Sequence, residues 1–383
     1  MSEESPPYRV ESDADREHMA EALRLAANGL YDTKPNPAVG CVIVKDGRVI
    51  ARGWTAPPGG PHAERVALAA AGADARGATV YCTLEPCNHQ GRTGPCTRAL
   101  IDAKVARVVF AGSDPNPLAR GGARELEAAG IRVSGGVLAA EAEPLNRGFF
   151  TRMRRGAPWV RVKIAATLDG RTALANGASR WITGPAARAD VHRWRARAGA
   201  ILTGSGTVLA DDPRLDARRE EAGIEASLGI KQPLRAIVDS RLVTPRHAKV
   251  LGSDGAVVFT TATADAATVH RLEAAGARVE RVAAGADGHV GLPAVLARLA
   301  ALDVNDVWVE AGAGLNGALL AAGLIDELIV YIAPKLFGAG ARGMFAVPHL
   351  SDVAQGWTVA IEDVRNVGDD LRIVGRPSRV AHA

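Results

Sequence analysis

From Val39 onward, short β-branched runs alternate with helical stretches, and that order confines the chain to an α/β architecture. A first helix, capped by Asp13 or Asp15, is expected to run to about Asn28, where Lys34-Pro35-Asn36-Pro37 breaks the pattern. Val39–Val44 and Val49–Trp54 read as two strands of a hairpin turning at Asp46-Gly47. Helix His62–Ala71, strand Ala78–Thr83, helix Cys96–Ala103, strand Val105–Phe110, helix Ala123–Ala129 and strand Ile131–Val133 follow. Their order predicts an α/β sandwich around a mostly buried sheet. Beyond Pro158 a second α/β series begins, with strand Trp159–Ile164 and helix Ala186–Ala198. Strands Ala200–Thr203, Arg235–Val238, Ala256–Thr260 and Val307–Glu310 continue it, and Leu328–Ile332 is expected to be the last.

Two series in 383 residues suggest two domains, each long enough to bury its own core. The basic, turn-prone stretch Leu145–Pro158 is the expected boundary. It gives a tail over 1–15, a first domain over 16–150, a linker over 151–157, a second domain over 158–377 and a tail over 378–383. Hydrophobic residues at 47% and charged residues at 23% exclude a disordered chain. A net charge of +4 suits phosphorylated small molecules, and nucleic acid equally, so charge alone does not choose. The densest basic stretch, His192–Arg197, also reads as the solvated face of a helix. The stretch Met1–His18 is acidic and polar, unlike a signal peptide, and no apolar run approaches the roughly 18 residues of a membrane span. A cytoplasmic location is expected, where four cysteines are metal ligands or core thiols rather than disulfides.

The most specific chemistry lies in the first half. His62-Ala63-Glu64 opens a predicted helix, and Cys87 and Cys96 follow a predicted strand. One imidazole and two thiolates make three ligands for a tetrahedral zinc and leave the fourth position to water, as catalytic sites require. Zinc lowers the pKa of such a water toward neutrality. Glu64 is placed to move the proton from that water to a ring nitrogen and a leaving amine, the division of labour of nucleobase deaminases. Helix N-termini beneath the cysteines would favour their thiolates. Cys41 and Cys82 sit within apolar strands and read as inert core thiols.

Eight residues separate Cys87 from Cys96, where many such deaminases have two. The run Thr83–Cys96, TLEPCNHQGRTGPC, resembles the deaminase domain of the bacterial bifunctional riboflavin-biosynthesis proteins, the RibD or RibG family. Pro35–Val44 (PNPAVGCVIV) and Asp114–Pro117 (DPNP) resemble it too. The resemblance implies a cytidine-deaminase-like α/β/α sandwich in which Asn36 contacts the pyrimidine, Arg92 meets the ribose phosphate, and Asp114 and Asn116 hold the ribose. An Arg fork suits phosphate, and Asp and Asn suit hydroxyls. Ordinary turn chemistry explains the two Pro-flanked motifs as well. Two positions depart from the family: Thr55 stands where a His is usual, seven residues before His62, and Arg120 stands in a shortened loop where a Lys is usual.

In the second half, the strand Val307–Glu310 runs into Gly312-Ala313-Gly314-Leu315-Asn316-Gly317 and then an apolar helix, Ala318–Gly323. Glycines between a strand and a helix let backbone amides approach a pyrophosphate. This run lies late in its domain, unlike a Rossmann fingerprint, and no acidic residue ends the next strand, which favours NADP over NAD. Val162–Ala173, Ser179–Arg188, Ile201–Leu215, Arg235–Ser240, Trp308–Leu320 and Asp326–Gly338 resemble the reductase domain of the same family, whose fold is dihydrofolate-reductase-like. That resemblance implies substrate contacts from Lys163, Ser179, Arg195, Leu215, Arg218 and Glu310. It implies NADPH contacts from Ala165, Trp181, Thr207, Asp211, Ser240 and the turn Gly312, Ala313, Gly314, Leu315, Asn316, Gly317 and Ala318. Lys163 and Arg218 offer charge to a phosphate, and Glu310 an acceptor to hydroxyls or ring N–H groups. Thr167 stands where Ser is commoner and keeps the hydroxyl.

The resemblance spans about residues 16–376. It implies two consecutive reactions with Zn2+ and NADPH. The first is deamination of 2,5-diamino-6-ribosylamino-4(3H)-pyrimidinone 5′-phosphate. The second is reduction of the resulting 5-amino-6-(5-phosphoribosylamino)uracil to its ribityl form. A homo-oligomer is implied, with phosphorylated pyrimidines as partners and neither nucleic acid nor membrane. Three rivals stay open at this point. One is a nucleic-acid deaminase, which the charge permits. Another is a structural zinc module with His89 as fourth ligand. The third is a chain with only one active half, Thr55 marking a weakened deaminase.

Overall fold

The structure, a computed structural model, describes residues 12–91, 94–252 and 255–379. The chain divides into two compact units. One holds the residues up to Gly156 together with Ala226–Lys231, and the other holds Ala157–Glu225 and the residues from Gln232 onward.

The first unit is built on a five-stranded sheet in the order Arg48–Trp54, Gly40–Lys45, Thr79–Leu84, Arg107–Gly112, Arg132–Gly135. The first three strands pair antiparallel and the last three parallel. Side chains alternate along each strand, so both faces are apolar and both must be covered. Cys41, Ile43, Val80, Cys82 and Val108 pack on helices Ala63–Ala71, Cys96–Asp102 and Gly122–Ala128. Val42, Val44, Tyr81 and Val109 pack on helix Asp13–Asn28 through Met19 and Ala22. The expected α/β/α sandwich is the result. Cys41 and Cys82 are fully buried across the strand pair, free thiols with their sulfurs 3.7 Å apart.

Three expectations need correction here. Ser12, rather than Asp13 or Asp15, caps the first helix, and Asp15 completes a capping box from inside it. Asp15 is instead a core anchor: Tyr81 Oη donates to it at 2.9 Å and Arg107 at 2.8 and 3.0 Å. The stretch 151–157 is mostly helix, because Phe149 and Phe150 bury on the first core and carry Arg147–Arg155 with them. Its arginines fall in the last turn, where the helix dipole favours cations, and Gly156 ends it at φ 68°. Strand Glu327–Ala333 is not the last strand: Trp357–Val367 and Asp370–Arg379 follow. Trp357–Val367 is a largely exposed edge strand, where charged residues interrupt the alternation that would have marked it, and Asp370–Arg379 lies between it and Glu327–Ala333.

The second unit has a nine-stranded sheet. Its order is Ala277–Val282, Ala256–Thr261, Leu234–Val238, Ala200–Gly204, Asp306–Glu310, Trp159–Thr167, Glu327–Ala333, Asp370–Arg379, Trp357–Val367. The first seven run parallel and the last two antiparallel. Val160, Val162, Ile164, Val307 and Val309 face one core with Leu296, Leu299 and Leu319. Ile201, Ile237, Val258, Trp308 and Tyr331 face the other with Ala187 and Val191. Strand Asp306–Glu310 enters last of the central strands yet lies between Ala200–Gly204 and Trp159–Thr167. Such reversals of strand order open a crevice at the carboxyl ends of a parallel sheet.

Burial pushes the Asp15 carboxyl up, but the hydrogen bonds from Arg107 and Tyr81 hold it below its ordinary value. Its stabilisation is therefore full above the unfolded carboxyl pKa of about 3.9 and fades as pH falls through the lower folded value. Asp15→Ala should cost the first unit about 3 kcal/mol at pH 7. Urea unfolding at pH 7 and in acid checks this, since the gap between variant and parent should narrow in acid.

Candidate active sites

His62 is the N-cap residue of helix Ala63–Ala71, held with extended backbone after the turn 56–61. Cys87 follows strand Thr79–Leu84 by three residues, and Cys96 is the first residue of helix Cys96–Asp102. The helix N-terminus expected under both cysteines therefore lies under Cys96 alone. These elements converge. His62 Nδ1 is 3.5 Å from Cys87 Sγ and 3.5 Å from Cys96 Sγ. Zinc bonds of about 2.0 Å to nitrogen and 2.3 Å to sulfur at tetrahedral angles span an edge of roughly 3.5 Å, so this donor set fits zinc. Among the described residues His89 does not join the group.

Glu64, in the first helical turn, is 4% exposed. Burial and the neighbouring Cys87 push its carboxyl up to about 7. Hydrogen bonds from Cys96 and His62 hold Cys87 down at about 4 despite its burial, while Cys96, bonded to the same thiolate and buried, is pushed up. A carboxyl near 7 beside a metal-ready triad can both take and return a proton at neutral pH.

The segments that carry Asp114, Asn116 and Asn36 are held by hydrogen bonds to the backbone. Glu85 is buried; its Oε2 accepts from Asp114 N at 3.2 Å and its Oε1 from Ala123 N at 3.0 Å. It ties the strand end carrying Cys87 to the loop carrying Asp114 and Asn116. Asp114 Oδ1 accepts from Asn116 N at 2.9 Å, and Asn116 Oδ1 from Leu118 N at 3.1 Å. One oxygen of each side chain thus shapes the turn. Asp114 is buried, and with Glu85 and Cys87 nearby its carboxyl rises to about 6. Asn36 lies half-buried after the cis Lys34–Pro35 bond. Its segment is pinned at Ala38, whose N–H and C=O bond Asn146 at 2.8 Å each, and at Val39, whose N–H donates to Thr55 Oγ1 at 3.1 Å. Thr55 is buried and serves the backbone here. Arg92 lies outside the described residues.

In the second unit several of the expected residues lie at or just beyond strand ends. Glu310 ends strand Asp306–Glu310 and pairs in register with Lys163 of the neighbouring strand. Arg195 grips Glu310 with Nε at 2.6 Å and Nη2 at 2.9 Å, and Trp308 Nε1 adds 2.8 Å. Burial opposes this carboxylate, but Arg195 and Lys163 hold it down at about 2; burial likewise lowers Lys163. Arg195 Nη1 also reaches Asp216 O at 3.1 Å, beside buried Leu215 at φ 52°. Thr207 and Asp211 lie on helix Ser205–Asp211, after the adjacent strand Ala200–Gly204. Ala165 lies near the end of strand Trp159–Thr167, and Ser240 follows strand Leu234–Val238, with its hydroxyl accepting from Val290 N. Ser179 is half-buried and Trp181 exposed, with Arg188 4.7 Å over its ring.

The glycine run is not a turn ahead of a helix. Gly312 is the N-cap and Ala313–Ala321 is already helical. Nothing lies within 4 Å of a Cβ built on Gly312 or Gly314, and no side chain caps this end. Gly314 and Ala318 are exposed, Ala313 and Leu315 half-buried, and the buried Asn316 Oδ1 has no partner. The N–H groups of a helix start without a side-chain cap are the donors that a pyrophosphate-bearing dinucleotide accepts from. Gly317 belongs to packing, since its Cβ would fall 2.0 Å from Ala346 O.

Comparison with known proteins divides the chain in the same way. Residues 12–112 match the cytidine and deoxycytidylate deaminase zinc-binding region, and residues 158–372 match the RibD C-terminal domain. The riboflavin biosynthesis protein RibD of Escherichia coli K12 is 47% identical over 374 residues, covering 94% of this chain and 99% of that protein. The chain belongs to the RibD family. RibD of Acinetobacter baumannii superposes with a TM-score of 0.88 at 43% identity, covering 96% of this chain and 100% of that one. A Thermotoga maritima protein, described as a diaminohydroxyphosphoribosylaminopyrimidine deaminase/5-amino-6-(5-phosphoribosylamino)uracil reductase, gives 0.82 at 33% identity, covering 95% and 99%.

Two residues of this RibD-family chain that the motifs did not single out support the deaminase site. Glu85 stood inside the quoted TLEPC run, where an acidic residue in an apolar strand end was a signal for a buried anchor. Asn146 is 108 residues from Ala38 and left no local signal. Helix Gly122–Ala128 also approaches the segment of the candidate ligand Cys87 closely: a Cβ on Gly122 would fall 1.8 Å from Pro86 O. Gly122→Ala should therefore displace Pro86-Cys87. Zinc content of the purified variant should drop together with deamination, while reduction of the deaminated substrate stays near the parent rate.

Proposed function

We propose that the chain is a bifunctional enzyme of riboflavin biosynthesis that deaminates 2,5-diamino-6-ribosylamino-4(3H)-pyrimidinone 5′-phosphate and then reduces the ribose of 5-amino-6-(5-phosphoribosylamino)uracil with NADPH. The observation that carries this reading is the convergence of His62, Cys87 and Cys96 beside a buried Glu64, in one chain with the RibD C-terminal domain. The domain limits belong to the reading: 16–150 for the deaminase and 158–377 for the reductase.

His62, Cys87 and Cys96 would hold zinc, which supplies the Lewis acidity that makes water nucleophilic near neutral pH. Glu64 takes one proton from the attacking water and gives it to the ring nitrogen, then takes the second from the new hydroxyl and gives it to the departing amine, so that the C–N bond breaks, a carbonyl remains and ammonia leaves. Asn36 orients the pyrimidine, Asp114 and Asn116 the ribose, and Arg92 the phosphate. The side-chain atoms that Asp114 and Asn116 do not commit to their turn remain for this purpose. In the reductase, Glu310 accepts from ring N–H or sugar hydroxyl groups, and Lys163 and Arg218 meet the phosphate, with Ser179, Arg195 and Leu215 completing the pocket. Ala165, Trp181, Thr207, Asp211, Ser240 and the helix start Gly312–Ala318 take NADPH, which supplies hydride.

The cytoplasmic location belongs to the same reading, in keeping with thiolate ligands that a reducing compartment keeps free. So does a homo-oligomer: the edge strand Trp357–Val367 exposes Val359, Ile361 and Val364, and pairing with a second copy would cover them. Light scattering of the purified chain should return a multimer mass, and Ile361→Lys should lower it toward the monomer.

Glu64→Ala should slow deamination about a thousandfold and leave bound zinc unchanged. Given the diaminopyrimidinone phosphate, the parent should oxidise NADPH and the variant should not. Given the deaminated uracil compound, both should. Dependence of the parent on the uracil compound would overturn the deaminase assignment.

A further inference from the structure

The loop that carries Leu215 and Arg218 is gripped at three consecutive residues. Arg195 Nη1 donates to Asp216 O at 3.1 Å. Gln232 holds Ala217 on both sides, its Oε1 accepting from Ala217 N at 2.9 Å and its Nε2 donating to Ala217 O at 2.8 Å. His192 Nδ1 accepts from Arg218 N at 3.2 Å. His192 and Arg195 stand three residues apart on helix Pro185–Arg197, so one helical face delivers both.

The histidine also reaches the Arg218 side chain. Its Nε2 lies 3.0 Å from Arg218 Nη2 and 3.0 Å from Glu221 Oε2, and Glu221 Oε1 in turn pairs with Arg218 Nη1 at 2.5 Å. Burial, with Arg195 and Arg218 close by, lowers the ring to about 4, which keeps it neutral at pH 7. His192 is 4% exposed, deep for a polar side chain, and its partners are Arg218 and Glu221. Leu215, at φ 52° and buried, marks a loop conformation that a free chain would leave.

We propose that His192 and Gln232 are positioning residues of the reductase, fixing the backbone of Ala217-Arg218 and, through Glu221, the guanidinium that meets the substrate's phosphate. The inference rests on the reading of Arg218 as a phosphate contact. Arg195 contributes to the grip and to Glu310 together, so its loss would not separate the two roles. His192 and Gln232 have no other task among the described contacts, which makes them the informative pair.

The test measures KM and kcat of the full-length protein for 5-amino-6-(5-phosphoribosylamino)uracil and for the same compound without its phosphate. Gln232→Ala, at an exposed side chain, and His192→Leu should each raise KM for the phosphorylated substrate about tenfold. KM for the dephosphorylated compound, kcat and the unfolding temperature should stay near the parent values. His192→Asn, which keeps an acceptor close to the Nδ1 place, should recover most of the phosphate preference. Arg218→Ala is the reference and should erase that preference. If Arg218→Ala erases it and both His192→Leu and Gln232→Ala retain it, the positioning role is wrong. If Arg218→Ala itself retains it, the phosphate reading of Arg218 fails and takes the positioning role with it. Equal losses on both substrates in His192→Leu and Gln232→Ala would mean a merely structural role and would also overturn the proposal.

Discussion

A buried carboxylate at the end of a strand organises each unit. Burying such a charge costs several kcal/mol unless hydrogen bonds replace its water. Glu85 meets that cost with two backbone amides, Asp114 N and Ala123 N, and so locks together the loop and helix that flank Cys87. Glu310 meets it with the Arg195 fork and the Trp308 indole, and so draws helix Pro185–Arg197 onto the sheet. Each carboxylate has partners that must stay in place, and the functional residues ride on those partners. The rigidity of both sites follows from the penalty of leaving either acid unpaired.

The two sites use strand ends differently. In the first unit the candidate metal ligands come from two helix starts and the segment just after a strand, and their donor atoms lie within one small volume. In the second, several parallel strands end side by side, and the residues read as substrate and cofactor contacts are spread along that edge. A zinc ion needs three donors within a few ångströms. A dinucleotide and a phosphosugar need a long row of shorter-lived contacts. The first arrangement is compact in sequence as well as in space, with His62, Cys87 and Cys96 inside thirty-five residues. The second draws on positions from Lys163 to Ala318.

That difference explains how much of each site was legible. The zinc triad could be read from residue types and spacing, because the ligand chemistry itself demands His and Cys and the elements between them are short. The supports that reach across the chain could not. Asn146 reaches Ala38 across 108 positions, and Gln232 reaches Ala217 only because an irregular stretch folds back. Asp15 looked like a helix cap and proved to be a core anchor, since a carboxylate three residues into a helix can serve either end until Arg107 and Tyr81 are placed beside it. The glycine run looked like a turn because glycine favours turns, yet Gly317 is there to let the helix touch Ala346.

The sequence by itself determined the alternation of strands and helices, the hairpin at Asp46-Gly47, the zinc donor set and the family. Those features depend on backbone preference, side-chain period and ligand chemistry, all of which act over a few residues or through residue type alone. The tertiary structure decided the strand order, the late hairpin Trp357–Arg379, and which polar side chains are spent on the scaffold rather than left for a ligand. Those features depend on register and on close approach between segments far apart in the chain, and no local pattern records which distant amide a buried acid or amide will find.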